Sequence, residues 1–249
     1  MHVDYSGPMA GVYDRGRRLP EASIRTWVES VAGYLPAGPQ PVLDLGAGTG
    51  RFLRPLAEGL GAAMVGLEPA AGMRGHAAAK PGRAEVALVA GRAEALPFAR
   101  GSFRAVWASQ VIHHVFDLGA GARELRRVLV DGGRLLVRGL YEDVPTRWLL
   151  APYFPEAVTI CLARFPTIGA IREALTSGGF VEIAHQRIEQ VVAETPGDFY
   201  QRTALRADSA LALLSDSEFQ AGLTRLRREV DVGTLSGPVT ESLDLLVFH

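Results

Sequence analysis

Apolar positions along the chain follow two periods. Over residues 21 to 35, "EASIRTWVESVAGYL" spaces Ile24, Trp27, Val28, Val31 and Leu35 three or four apart and stops before Pro36, which predicts an amphipathic helix. Short apolar runs then follow: "PVLDLG", "AMVGLE", "EVALVAG", "RAVWAS" and "RLLVRGL", separated by segments of helical period or glycine-rich connections. Such alternation predicts an α/β domain, a parallel sheet with helices on both faces. The last third reads differently. A proline-interrupted aromatic stretch (141 to 167) leads to a helix "IGAIREALTSGGF" closed by Gly178 and Gly179, then to a strand "VEIAHQRIEQVV". Two helical stretches, 196 to 213 and 216 to 230, precede a terminal strand "ESLDLLVF".

Composition narrows the class. At 249 residues and 48% hydrophobic the chain can bury a large core, and a formal net charge of -1 gives no overall attraction to nucleic acid. The amino-terminal "MHVDYSGPMAGVYDRGRRLP" lacks the apolar stretch of a secretory signal. The weakly charged run "WLLAPYFPEAVTICLA" is interrupted by Pro152, Pro155 and Glu156 and is too short to span a membrane, so a soluble cytoplasmic protein is expected. Cys161 is the sole cysteine, which excludes an intrachain disulfide and a cysteine-held cluster. His2, His76, His185 and His249 have no ligand spacing, and no metal is expected.

The stretch "VLDLGAGTG" (42 to 50) carries the chemistry. In a doubly wound sheet the turn after the first strand meets the ligand, and the next helix offers unpaired N–H groups and its positive end. Glycines at 46, 48 and 50 let the backbone come close. Dinucleotide enzymes use G-x-G-x-x-G; here the third glycine comes one residue early and Arg51 stands in its place, which argues against a nicotinamide dehydrogenase.

This stretch resembles motif I of class I S-adenosylmethionine-dependent methyltransferases. Glu68 ends the second strand in "VGLEPAAGM", 22 residues beyond Gly46; "GRAEALPF" follows the third strand, "SQVIHHV" the fourth, and "RELRRVLVDGGRLLV" supplies a helix, turn and fifth strand. Together they are similar to the small-molecule branch related to ubiquinone and menaquinone methyltransferases, strongly over residues 10 to 140. The resemblance implies a Rossmann-like, seven-stranded, mostly parallel sheet with an inserted lid after the fifth strand. It implies one domain over 1–249: an N-terminal helical cap segment (1–36), a cofactor-binding core (37–140), a lid (141–178) and C-terminal strands and helices (179–249).

Residue by residue, the resemblance places S-adenosylmethionine against Gly46, Ala47, Gly48 and Gly50, with Asp44 fixing the loop or reaching the cofactor's amino group through water. Glu68 would hold the ribose, with Pro69 beside it, and Met73 would pack near the adenine. Arg92, Ala93 and Glu94 would lie by the adenine edge, although Arg92 stands where the family often has an aspartate. Ser109 and Gln110 fall at the end of the fourth strand. In "YDRGR", Tyr13 and Arg17 match a family segment in which Arg17 could clamp the methionine carboxylate; the alternative is a solvated basic turn.

The acceptor is expected to be a small organic molecule methylated on oxygen, nitrogen or carbon, plausibly in secondary metabolism, with S-adenosylhomocysteine as product. Nucleic-acid bases are disfavoured because strand four ends in "ASQVI" instead of an Asn/Asp-Pro-Pro-aromatic pattern. The alternative is a protein that binds the cofactor without methyl transfer, as regulator, scaffold or rearrangement catalyst. Proton removal, if needed, would fall to His114 or His113, whose imidazole suits a base near neutral pH; either could instead only pack the loop. Neighbours in an extended segment point opposite ways, so one of the two is expected to face the site, His114 by family pattern. Some relatives end the fifth strand with an acid, but here Arg138 and Gly139 stand there; Arg138 could bind an acidic substrate or pair with a carboxylate. Trp148, Tyr153, Phe154 and Phe165, with Pro145, Pro152, Pro155 and Pro166, mark the lid.

Overall fold

Four consecutive buried residues, Val42–Leu45, form β1, and their burial follows from pairing on both edges: β2 (Met64–Leu67) lies on one side and β4 (Phe103–Ser109) on the other, both parallel. The computed structural model describes residues 8–81 and 86–249. His2 and Asp4 in the amino-terminal stretch, and Glu85 at the start of the third predicted strand, lie outside the described residues. Among the described residues one seven-stranded sheet has the order β3-β2-β1-β4-β5-β7-β6, completed by β3 (Val86–Val89), β5 (Leu129–Gly139), β6 (Glu182–Ala193) and β7 (Val239–Phe248). Strand β7 runs antiparallel to both β5 and β6, and the other strand pairings among the described residues are parallel. The order reverses between β1 and β4, and a crevice forms at the carboxyl end of such a switch point.

Side chains alternate across the strands and give each face its own core. On one face Leu43, Leu45, Val106, Leu135 and Val137 meet α5 (Leu118–Val128) and α8 (Ile168–Ser177) through Leu125, Ile171 and Leu175. On the other, Val42, Ala105, Trp107 and Leu136 meet α2 (Glu21–Ala32) and α3 (Leu53–Leu60). There the Trp107 ring lies 6.0 Å from Trp27 and 5.5 Å, edge-on, from Phe52. The same face carries α7 (Pro155–Arg164), α9 (Pro196–Ala204) and α10 (Asp216–Val232), packed through Ala157, Cys161, Phe199, Phe219 and Leu226. Helices α1 (Pro8–Gly16), α4 (Ala71–Ala79) and the short α6 (Val144–Arg147) complete the order. Among the described residues no helix is long and apolar enough to cross a membrane.

Two elements differ from the sequence expectation. The predicted lid runs to 178, yet α8 packs on α5 across the sheet from α7, so its residues lie on the opposite face from the aromatic segment. The predicted helix over 196–213 ends at Ala204; just beyond it Arg206 takes a left-handed backbone (φ 53), which cannot continue a right-handed helix, and its guanidinium donates to the carbonyls of Leu211 and Leu214. Helix α10 begins at a complete capping box, Ser215 with Glu218, and stops at left-handed Gly233.

Tight packing where α10 meets the aromatic segment after β5 gives a test. A Cβ on Gly222 would lie 2.1 Å from the fully buried Phe154 ring. Helix propensity favours alanine by about 1 kcal/mol, whereas forcing a methyl into a filled core costs about 1–3 kcal/mol. Gly222→Ala is therefore expected to lower the urea midpoint; a raised midpoint would contradict this packing.

Candidate functional site

Three left-handed glycines shape the loop after β1: Gly46 (φ 67), Gly48 (φ 56) and Gly50 (φ 73). They differ in what surrounds them. A Cβ on Gly46 would strike Val111 at 2.3 Å, so that glycine lets two loops approach each other; a Cβ on Gly48 would meet nothing within 4 Å and would project into a cavity that Gly48 lines. Glu68, just past β2, fixes this loop. Its Oε2 accepts from Gly48 N–H at 3.0 Å and its Oε1 from Ala70 N–H at 2.8 Å. Burial raises the Glu68 carboxyl above its ordinary range, opposed by the two N–H donors and by Arg74.

The cavity measures about 650 Å³, the size of a cofactor site. Of the residues expected there, Tyr13, Gly46, Gly48, Glu68, Pro69 and Met73 line it. So do Arg92, Ser109, Gln110, His113 and His114. The others stand back. Ala47 donates its N–H to Leu67 O and Gly50 its N–H to Ala47 O, so both build the loop. Ala93 is buried, and Glu94 accepts from Phe116 N–H at 2.8 Å, bracing the loop after β4. Asp44 is buried in β1; burial is the main reason its carboxyl is pushed up to about 8, with Glu68 adding and Arg51 opposing. Arg17 lines an adjoining pocket of about 70 Å³ and bonds Asp208 at 2.9 Å. Sequence reasoning did not point to Ser209 and Leu213, which reach the cavity from the segment before α10 and have no local motif.

His113 and His114 both line the cavity and the adjoining pocket. The expectation that one would face away fails because the segment is a 3₁₀ turn, Ile112–His114, in which successive side chains are about 120° apart. The His113 ring centre lies 4.3 Å from that of Phe165 and 4.2 Å from that of His114, tilted against both. Burial, then the neighbouring His114 and Arg17, hold the His113 imidazole well below its usual value, so it is neutral at physiological pH. His114 is the more exposed of the pair. Gln110 takes a left-handed backbone (φ 56), with its N–H held by Arg138 O at 2.7 Å.

Arg138 does not reach the cavity, and its hydrogen bonds go to neutral groups. It is 1% exposed and lines neither space; its Nη1 donates to Ser109 Oγ at 3.0 Å and its Nη2 to Gln190 Oε1 at 2.7 Å. Its guanidinium lies 4.5 Å from the Trp27 ring centre. Just past β5, on the β7–β6 side of the sheet, Glu142, His185 and Asp244 come together, but Arg147, Arg187 and Arg172 hold that group by ion pairs and hydrogen bonds, which leaves no anionic charge surplus for a cation.

The sheet order, with β7 antiparallel beside β5, is that of a Rossmann-like fold. Residues 43–137 match the family described as a methyltransferase domain. A stretch of 124 residues is 37% identical to malonyl-acyl-carrier-protein O-methyltransferase of Legionella pneumophila, covering 47% of this chain and 44% of that protein. Another of 133 residues is 40% identical to demethylmenaquinone methyltransferase of Mycolicibacterium vanbaalenii, covering 53% of this chain and 55% of that one. The chain thus spans about half the length of the curated relatives it matches. In fold it is similar over 92% of its length, and 98% of the other's, to a candidate methyltransferase from an antibiotic biosynthesis pathway of Anabaena variabilis (TM-score 0.71, 22% identity).

Asp44 makes a stability test. In the unfolded chain it ionises near pH ~4, while in the folded state it keeps its proton up to about pH 8, so the folded state binds the extra proton between these values. This group's contribution to stability therefore falls as pH rises across that window. Urea midpoints of Asp44→Asn should decline less than the parent's between pH 5 and pH 8; parallel profiles would show that Asp44 ionises freely.

Proposed function

We propose that this protein is an S-adenosylmethionine-dependent methyltransferase acting on an oxygen, nitrogen or carbon of a small organic molecule. The observation that carries the reading is the pairing of Gly48, whose missing side chain leaves open space, with the Glu68 carboxylate on the same cavity wall. S-adenosylmethionine fits these residues. A carboxylate has about four lone-pair sites, and two backbone N–H groups leave acceptor capacity at Glu68 for ribose hydroxyls. Met73, 2% exposed, and Pro69 offer an apolar wall for the adenine. When bound, the cofactor supplies a sulfonium methyl group to a nucleophile.

The chain's own residues do the rest. Alignment of acceptor with methyl is worth several kcal/mol, on the order of 7–11 in the best intramolecular cases. The pocket beside the cavity, lined by Trp148, Phe165, Cys161 and Leu243 as well as the histidines, is the place for the acceptor. Lid residues keep water from it. His113, neutral and at the junction of the two spaces, takes a proton from an acceptor that starts protonated; its neighbour His114 lies nearer to solvent.

The test is formation of S-adenosylhomocysteine from S-adenosylmethionine with a panel of small phenols, amines and active methylene compounds. Turnover with at least one class is expected, and cofactor binding with no turnover across the panel would favour the non-transferring alternative. Glu68→Gln keeps an acceptor but loses the charge, and is expected to weaken cofactor binding about tenfold or more. His113→Ala is expected to lower kcat about 100-fold on an acceptor that must lose a proton, and more than His114→Ala does; equal rates in parent and His113 variant would remove it as the base.

A further inference from the structure

One carboxylate in the acceptor pocket is held from behind by a buried polar chain. Glu241 of β7 pairs directly with Gln190 of β6 across the antiparallel ladder, and Gln190 Nε2 donates to Glu241 Oε1. The direction of that amide is settled by its other end. Gln190 is 3% exposed, and its Oε1 accepts from Trp27 Nε1 at 2.5 Å and from Arg138 Nη2 at 2.7 Å, so its NH₂ group must face Glu241. Arg138 is itself anchored on Ser109 and stacked on Trp27.

A guanidinium out of water needs a compensating charge. Of the carboxylates, Glu241 is the one that favours the charged Arg138 guanidinium, reached through Gln190, while the neighbouring Arg51 and Arg17 oppose it. Glu241 is half-buried and lines the pocket beside Gln110, His113, Trp148 and Phe165. The other carboxylate there, Asp208, is engaged by the Arg17 guanidinium at 2.9 Å and by Ala210 N–H at 2.9 Å. Gln190 occupies one Glu241 oxygen and leaves lone pairs of the carboxylate for a ligand.

We propose that Glu241 selects the acceptor by taking a hydrogen bond from an O–H or N–H group on it, with Gln190 and Arg138 as the residues that position the carboxylate. The inference rests on the methyltransferase reading and names its substrate class: a small, uncharged or cationic molecule with a hydroxyl or amine, not a carboxylate. Sequence spacing could not show this, because the acid sought at the end of β5 comes instead from β7, which lies beside β5 in the sheet.

The test compares phenol, anisole and benzoate by saturation-transfer NMR on the full chain with S-adenosylhomocysteine, whose affinity is measured separately by calorimetry. Phenol is expected to bind, and to bind better than anisole and benzoate, neither of which has a hydrogen to donate to Glu241. Glu241→Gln should weaken phenol about tenfold and narrow its margin over benzoate. Gln190→Leu should shrink the phenol-to-anisole ratio, which a general loss of stability would not move. S-adenosylhomocysteine affinity should hold in both variants. A silent phenol, a preference for benzoate, or ratios unchanged in both variants would overturn the proposal. Failure of S-adenosylhomocysteine to bind the parent protein would instead sink the methyltransferase reading.

Discussion

The Glu68 carboxylate joins two loops that would otherwise be independent. By accepting from Gly48 and Ala70 it ties the turn after β1 to the turn after β2, and Ala47 N–H on Leu67 O adds a backbone clasp between the same elements. Everything at the cavity's floor takes its position from this junction. Gly46 must be bare so that Val111, from the turn after β4, can close against it, and Gly48 must be bare so that the space beyond stays open. The three strand ends meet because β1 sits between β2 and β4, at the reversal of strand order.

A second layer, under the pocket that adjoins the cavity, is polar where a core of this size would ordinarily be apolar. Arg138 sits between Trp27, Phe52, Ser109 and Gln190, on the sheet face that also buries Trp107. Removing one partner of such a cluster costs far more than the cluster contributes overall, since it leaves a buried charge or amide unpaired. That asymmetry favours a rigid pocket wall over a stable one. The aromatic segment after β5 is held differently: Tyr153 Oη donates to Glu229 at 2.6 Å and Arg225 Nε donates to Tyr153 O at 2.8 Å, which fasten it to α10.

The sheet was legible because parallel strands buried on both faces read as short apolar runs punctuated by glycine, as in "VLDLG" and "AMVGLE". Glycines 46 and 48 and Glu68 were legible because their spacing carries the loop geometry itself. Other features depend on packing that no local pattern encodes. Nothing in "IGAIREALTSGGF" tells which sheet face it covers, and α8 proved to lie across the sheet from α7. The left-handed Arg206 breaks a helical period without a glycine to announce it. The histidine pair turned on a single 3₁₀ turn, and Glu241 with Gln190 is a cross-strand pair between segments far apart in the chain.

The most direct test of the central claim is titration calorimetry of the purified protein with S-adenosylmethionine, S-adenosylhomocysteine and NADH in separate runs. Binding of the first two, weakened in Glu68→Gln, with no heat from NADH, is the result predicted by a cradle built from Gly48 and Glu68. Binding of NADH alone, or indifference of the first two ligands to Glu68→Gln, would contradict it.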